Sequence, residues 1–176
     1  MAENVRERDL VLAPNEFAFI LDETKGNVIA YVGPHKTSLA NTDLLKVNEL
    51  ELDQLRTLLS LPPGVAPAGR ELMSRYGIGT VVITSGAEGA LALAEDGTSC
   101  KSPGHKVVVK DTIGSGDAFT ATLAVNLANG APLEEAMHLA NAAGAYVATQ
   151  VGGTPPVDKQ ALVSLHHQRE LAGAGV

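Results

Sequence analysis

The stretch "VVVKDTIGSGDAF", residues 107–119, decides the fold. A β-branched run passes through Gly114, Ser115 and Gly116 into residues at helical apolar spacing, so it reads as strand, tight turn and helix. Each glycine loses more backbone freedom on folding than any other residue, so such a turn needs a compensating role. Small residues let backbone N–H groups converge at a helix N-terminus, where free amides and the helix dipole favour an anion. The turn is not a Walker loop, because "GSGD" lacks the Lys-Ser/Thr pair, and it is not a dinucleotide GxGxxG. Asp117 is the unusual residue. A carboxylate in an anion pocket repels phosphate unless it has a task, and one task is to accept a proton from an attacking hydroxyl during phosphoryl transfer. The dipole also favours a purely structural Asp in a first helical turn, so local physics leaves both readings open.

The chain has 176 residues, which suggests one domain or one domain with an appendage. Apolar residues make up 45% but aromatics only 3%, so the core is aliphatic, as in layers of sheet and helix. A net charge of -7 argues against a general nucleic-acid surface. No apolar run reaches the ~20 residues of a membrane span, and the N-terminus lacks the apolar stretch of a signal peptide. The single cysteine, Cys100, excludes an internal disulfide. Together these features point to a reducing cytoplasm. The one cysteine and the scattered histidines show no zinc-ligand spacing.

Along the chain, "EFAFILD" and "NVIAYVG" read as a β hairpin, and "GPHKTS" as a loop. "DLLKV" reads as a short buried strand. The helix after it places Leu52, Leu55 and Leu59 on one face. "LPPGVAPAG" reads as a loop and "RELMSRYG" as a short helix closed by Gly77. "TVVITSG" reads as a strand covered on both faces. "GALALAEDGTSCKSPGHKVVVKD" gives two or three strands with a turn at Asp96-Gly97. One helix spans about Gly116 to Ala128, and another starts after Pro132. The tail "LAGAGV" reads as frayed. Strands alternating with helices imply a layered α/β sheet, whose ligands sit at the carboxyl ends of the strands.

Three companions join the turn. "KVNELEL" is locally a capping box, with Asn48 at the N-cap and Glu51 three residues later. "TSGAEGA" places Thr84 and Gly86 directly after a strand, where backbone can meet a nucleotide or simply leave the sheet. "ANAAGA" carries Asn141 on the last helix, where a surface amide is the plain alternative.

"NELE", "VVITSGAEGA", "DTIGSGDAF" and "ANAAGA", in this order, resemble the carbohydrate kinases of the ribokinase (PfkB) family. The signature D-T-x-G-A-G-D of that family appears as "DTIGSGD", with Ser115 at the Ala position. The resemblance covers residues 43 to about 165 and implies a ribokinase-like layered α/β sheet. It implies Asp117 as the catalytic base on a sugar hydroxyl, with Gly114, Ser115 and Gly116 as the anion hole for the transferring phosphoryl group. It implies Asn48 and Glu51 as organisers of magnesium and phosphate, largely through water. It assigns Thr84 and Gly86 to nucleotide contact and Asn141 to the adenine pocket. Asp111, the backbone near Ile113 and the stretch around Gly152 resemble a site for a monovalent cation such as potassium.

Residues 1–42 do not match the N-terminal half of that family. They read as a short β segment, similar in its "APNE…LD…VGPHKT" cadence to the repeats of the major vault protein. The expected organisation is this β segment at 1–42, a PfkB-like nucleotide-binding domain at 43–170, and a flexible tail at 171–176. The function implied is ATP-dependent phosphorylation of a sugar or nucleoside hydroxyl by a truncated or rearranged member, with the acceptor site completed by another chain. The cut sheet and unpaired edges favour a homo-oligomer. The alternative is a non-catalytic nucleotide-binding or scaffold module that assembles through its β segment. A dinucleotide-dependent oxidoreductase is disfavoured, because its fingerprint and following acidic residue are absent.

Overall fold

The computed structural model describes residues 17–22, 27–31, 39–40, 42–152, 155–156 and 160, the first two segments as backbone. The expected loop at "GPHKTS" and the frayed tail at 171–176 lie outside the described residues. The described residues fall in two compact units, one of residues up to 85 with 91–100, the other of 86–90 with those from 101 onward.

The first unit carries most of a six-stranded sheet whose strands neighbour one another in chain order. β1 (Phe17–Asp22) and β2 (Asn27–Tyr31) form the expected antiparallel hairpin, with Phe17 opposite Tyr31. β2 then pairs parallel with β3 (Leu44–Asn48), so the hairpin extends the α/β sheet. α1 (Glu49–Leu59) and α2 (Val65–Tyr76) connect β3 to β4 (Thr80–Thr84), which lies parallel to β3. A parallel pair needs such a long crossover to bring the chain back to the same edge. Leu45, Val47, Val81 and Ile83 from one sheet face pack with Leu52, Leu55 and Leu59 of α1 and with Ala68, Leu72 and Met73 of α2. At ~25 cal/mol per Å² of apolar surface, this aliphatic cluster supplies the main driving force of the unit.

α2 begins at Val65, inside the stretch expected to be a loop. Pro67 falls in the first turn, where its missing N–H has no intrahelical acceptor to lose. β5 (Ala90–Ala94) and β6 (Ser99–Ser102) follow a 3₁₀ turn at Gly86–Glu88. Glu95 N donates to Gly79 O, so the end of β5 lies beside the start of β4 in the antiparallel sense. Residues 103–109 form no strand, although the run of three valines there favours one. Extended backbone becomes a strand only where a neighbour accepts its hydrogen bonds, and a β-branched run cannot supply that neighbour.

The second unit holds α3 (Ser115–Ala128) and α4 (Leu133–Ala148). Phe119, Leu123 and Ala124 of α3 and Ala136, Met137, Ala140 and Ala143 of α4 are buried. Among the described residues no helix is long and apolar enough to cross a membrane.

Candidate functional site

In the first unit, Asn48 ends β3 and caps α1. Its Oδ1 accepts from Glu51 N at 2.8 Å, and Glu51 Oε2 accepts from Asn48 N at 2.7 Å, a complete capping box. The parallel register sets Asn48 opposite Thr84 at the carboxyl ends of β3 and β4. Thr84 Oγ1 donates to Val47 O at 3.4 Å, and Ser85 Oγ donates to Glu49 Oε1 at 3.0 Å, which ties the two strand ends together. As a metal set, Asn48 and Glu51 each commit one oxygen to the cap, and the described residues contain no cluster of three His, Cys, Asp or Glu side chains. The pair therefore fits a hydrated magnesium ion held through water rather than direct coordination.

Lys46 was missed by the sequence reading. It is 5% exposed, and strand alternation puts it on the same face of β3 as Asn48. The signal was one charged residue inside the run "LLKVN", since a Lys is almost never fully buried unless paired.

In the second unit, Gly114 is the N-cap of α3 with φ +79°, a left-handed conformation that costs a side-chain-bearing residue energy and glycine little. Ser115 Oγ donates to Thr112 O at 2.9 Å, which folds the turn back on itself. Ser115 N donates to Thr112 O at 3.2 Å, and the amides of Gly116 and Asp117 follow it in the first turn, where no preceding helical carbonyl serves them. Asp117 is exposed at the third helical position, so its carboxylate stands at the positive end of the α3 dipole.

Two interactions hold this turn. Asp111 Oδ1 accepts from Ile113 N at 3.0 Å, and Asp111 Oδ2 accepts from Gly152 N at 3.2 Å. Lys110 N also donates to Ala148 O at 2.8 Å, so the chain entering the turn is bound to the end of α4. The structure thus brings Asp111, Ile113 and Gly152 together. Each Asp111 oxygen retains a second lone pair, which fits a monovalent cation shared with backbone carbonyls. Behind the turn, Gly144 of α4 faces the Ser115 carbonyl, and a Cβ there would lie 3.1 Å from that oxygen. The glycine of "ANAAGA" is therefore a packing requirement of the turn.

Asn141 lies one helical turn before Gly144 and is 9% exposed, so it is not a surface amide. Its Nδ2 donates to Ser102 O at 2.9 Å and to Ser102 Oγ at 2.6 Å. Ser102 Oγ in turn lies 2.7 Å from His138 Nδ1. Gly86 opens the 3₁₀ turn with φ +52°, and a Cβ there would meet nothing within 4 Å.

The pfkB family of carbohydrate kinases matches residues 14–160. The bifunctional protein HldE of Rhodospirillum rubrum is 37% identical over 123 residues, which is 68% of this chain and 25% of that protein. The ribokinase of Thermotoga maritima superposes with a TM-score of 0.64 at 26% identity, over 72% of this chain and 43% of that one. Phosphofructokinase-2 of Escherichia coli, solved in complex with potassium, superposes with a TM-score of 0.64 at 22% identity, over 76% of this chain and 45% of that one. The last likeness shows the fold alone. The chain spans about a quarter of the length of the curated relatives it matches and less than half of the solved structures. The family match starts at residue 14 and takes in the hairpin, so residues 14–42, expected to fall outside the family, lie within the matched range. With all four motifs inside the matched range, the chain belongs to the pfkB family of carbohydrate kinases.

Proposed function

We infer that this chain is the nucleotide-binding part of an ATP-dependent sugar or nucleoside kinase. The observation that carries the reading is the exposed Asp117 carboxylate in the first turn of α3, behind the left-handed Gly114. In this reading a sugar hydroxyl attacks the γ-phosphorus of ATP. The new O–P bond forms as the bond to the β-bridging oxygen breaks, the hydroxyl proton passes to Asp117, and ADP leaves. The amides of Gly114, Ser115 and Gly116 receive the charge of the transferring group, as preorganised dipoles do in phosphoryl transfer. Thr84 and Gly86 contact the nucleotide, and Asn141 borders its base. Asn48 and Glu51 orient water around magnesium, which when bound neutralises phosphate charge. Asp111 and the backbone at Ile113 hold a monovalent cation, a role supported by the potassium complex of the Escherichia coli neighbour. The acceptor is a sugar or nucleoside hydroxyl, and the protein works as a homo-oligomer in the cytoplasm.

A second reading, a nucleotide-binding module without turnover, is favoured by one observation. The side chains of Asn48 and Glu51 are already satisfied by the capping box, so neither needs a ligand to explain it. A coupled ADP-release assay over a panel of sugars and nucleosides separates the two. We expect acceptor-dependent turnover that falls 10²–10⁴-fold in Asp117→Asn, the usual worth of a positioned base, with unchanged folding. Turnover unchanged by D117N would reduce Asp117 to a helix-start carboxylate. ATP binding with no acceptor-dependent turnover would establish the second reading.

A further inference from the structure

The turn after β4 has one open face and one closed face. A Cβ on Gly86 would meet nothing within 4 Å. A Cβ on Gly89 would collide with the Ser102 carbonyl oxygen and lie 2.6 Å from the Pro103 carbonyl carbon. A Cβ on Gly104 would collide in turn with the Ala87 carbonyl oxygen and lie 2.8 Å from its carbon and 3.1 Å from Gly89 N. The two glycines thus face each other's backbone, and residues 87–89 lie directly against 102–104. Every atom in the way is backbone, so no rotamer change admits a methyl group there. Gly104 is not in the left-handed region, so space alone requires glycine at that position.

This clasp is referenced to α4. The Ser102 carbonyl that Gly89 approaches also accepts from Asn141 Nδ2 at 2.9 Å. Three residues further along α4, Gly144 faces the Ser115 carbonyl of the turn into α3. At roughly 1.5 Å of rise per residue, these two anchor points are about 4.5 Å apart along the helix axis. One helix therefore seats both glycine turns, and the contact of Gly89 with Gly104 carries the turn at 86–89 onto it.

We propose that Gly89 and Gly104 are positioning residues, a backbone clasp that holds the turn at 86–89 in register with the turn into α3 for a nucleotide that spans both. This rests on the reading above that Gly86 contacts the nucleotide. Neither glycine touches the ligand in this proposal. A methyl group at Gly104 pushes Ala87 away, and the open face at Gly86 moves with it. Hydrogen bonds to a fixed ligand weaken steeply with such a displacement.

The test is ATP–magnesium titration of the full chain and of Gly104→Ala, below the urea midpoint of each, with amide hydrogen exchange on the same samples. We expect folded G104A to bind ATP about ten- to hundredfold more weakly, the worth of one or two hydrogen bonds to a charged ligand. Its amides at 86–90 should exchange faster, while those of α1 and α2 stay as in wild type. A merely structural glycine would lower the urea midpoint and leave the ATP affinity of the folded chain unchanged. That result overturns the inference and leaves nucleotide binding standing. Weaker binding with unaltered exchange at 86–90 overturns the clasp as its cause. If G104A does not fold, exchange in the wild-type chain decides. ATP should then slow the amides of 86–90 and of 102 and 104 together, and slowing of the first group alone overturns the inference. No binding of ATP to the wild-type chain at millimolar concentration overturns both this inference and the function it rests on.

Discussion

Asn48 and Thr84 stand opposite each other where the parallel strands β3 and β4 end, although 36 residues separate them in the chain. One caps a helix and the other closes a strand, and together they form a polar strip at the carboxyl end of the sheet, where open α/β sheets place their ligands. Whether Asn48 serves only as a cap is testable. Asn48→Ala should cost ~1 kcal/mol of stability from the lost cap. Asn48→Ser keeps a capping oxygen and should unfold within a few tenths of a kcal/mol of wild type. If Asn48 also orients magnesium-bound water, N48S should weaken ATP–magnesium binding while leaving metal-free ATP binding unchanged. Equal titrations in the presence of magnesium would make Asn48 a cap alone.

Gly144→Ala should destabilise the second unit. Alanine gains ~1 kcal/mol over glycine inside a helix. The new Cβ, however, would lie 3.1 Å from the Ser115 carbonyl, a backbone atom that cannot swing aside, and overpacking costs ~1–3 kcal/mol. We expect a net loss of about 1 kcal/mol in denaturant unfolding, with weakened ATP binding because the displaced carbonyl belongs to the phosphate turn. A variant more stable than wild type with unchanged binding would show that α4 adapts freely.

Asp96 gives the β5–β6 turn a pH dependence. Its Oδ1 accepts from Thr98 Oγ1 at 2.6 Å and from Thr98 N at 2.8 Å. These hydrogen bonds favour the ionised form and hold the carboxyl below its ordinary value of 3.8. A depressed folded pKa contributes stability above the unfolded value, and that stability is lost as pH falls through the folded one. The stability difference between wild type and Asp96→Ala should therefore be level above about pH 4 and shrink below it. Urea midpoints measured across that range check this, and a difference that grows on acidification would contradict it.

Exposed aliphatic side chains favour self-association. Val108 is 82% exposed and Val151 81%, and Ile113 is also exposed. Large apolar groups left open in one region mark interaction surfaces. Light scattering at tens of micromolar should report a mass above the 18.2 kDa of one chain, reduced in the double variant Val108→Ser, Val151→Ser. A monomer at that concentration would remove the homo-oligomer from the functional reading.

The sequence by itself determined what short stretches decide. The capping box at Asn48 and Glu51, the glycine turn into α3, the buried stripe Leu52–Leu55–Leu59 and the hairpin of β1 and β2 all follow from residues within a few positions of one another. Capping, turn conformation and amphipathic spacing are local, so they are legible without a fold. Local rules failed where the energy lies in distant partners. α2 starts early at Val65, because a first-turn proline is permitted wherever a core receives the helix. Val107 to Val109 stay out of the sheet for want of a neighbouring strand. β2 pairs with β3, which joins the hairpin to the sheet. Asn141, whose plain reading was a surface amide, is buried and tied to Ser102, 39 residues away. Only the tertiary structure decides such matters, because pairing and burial depend on which remote segment arrives, and a residue's own neighbours do not carry that information.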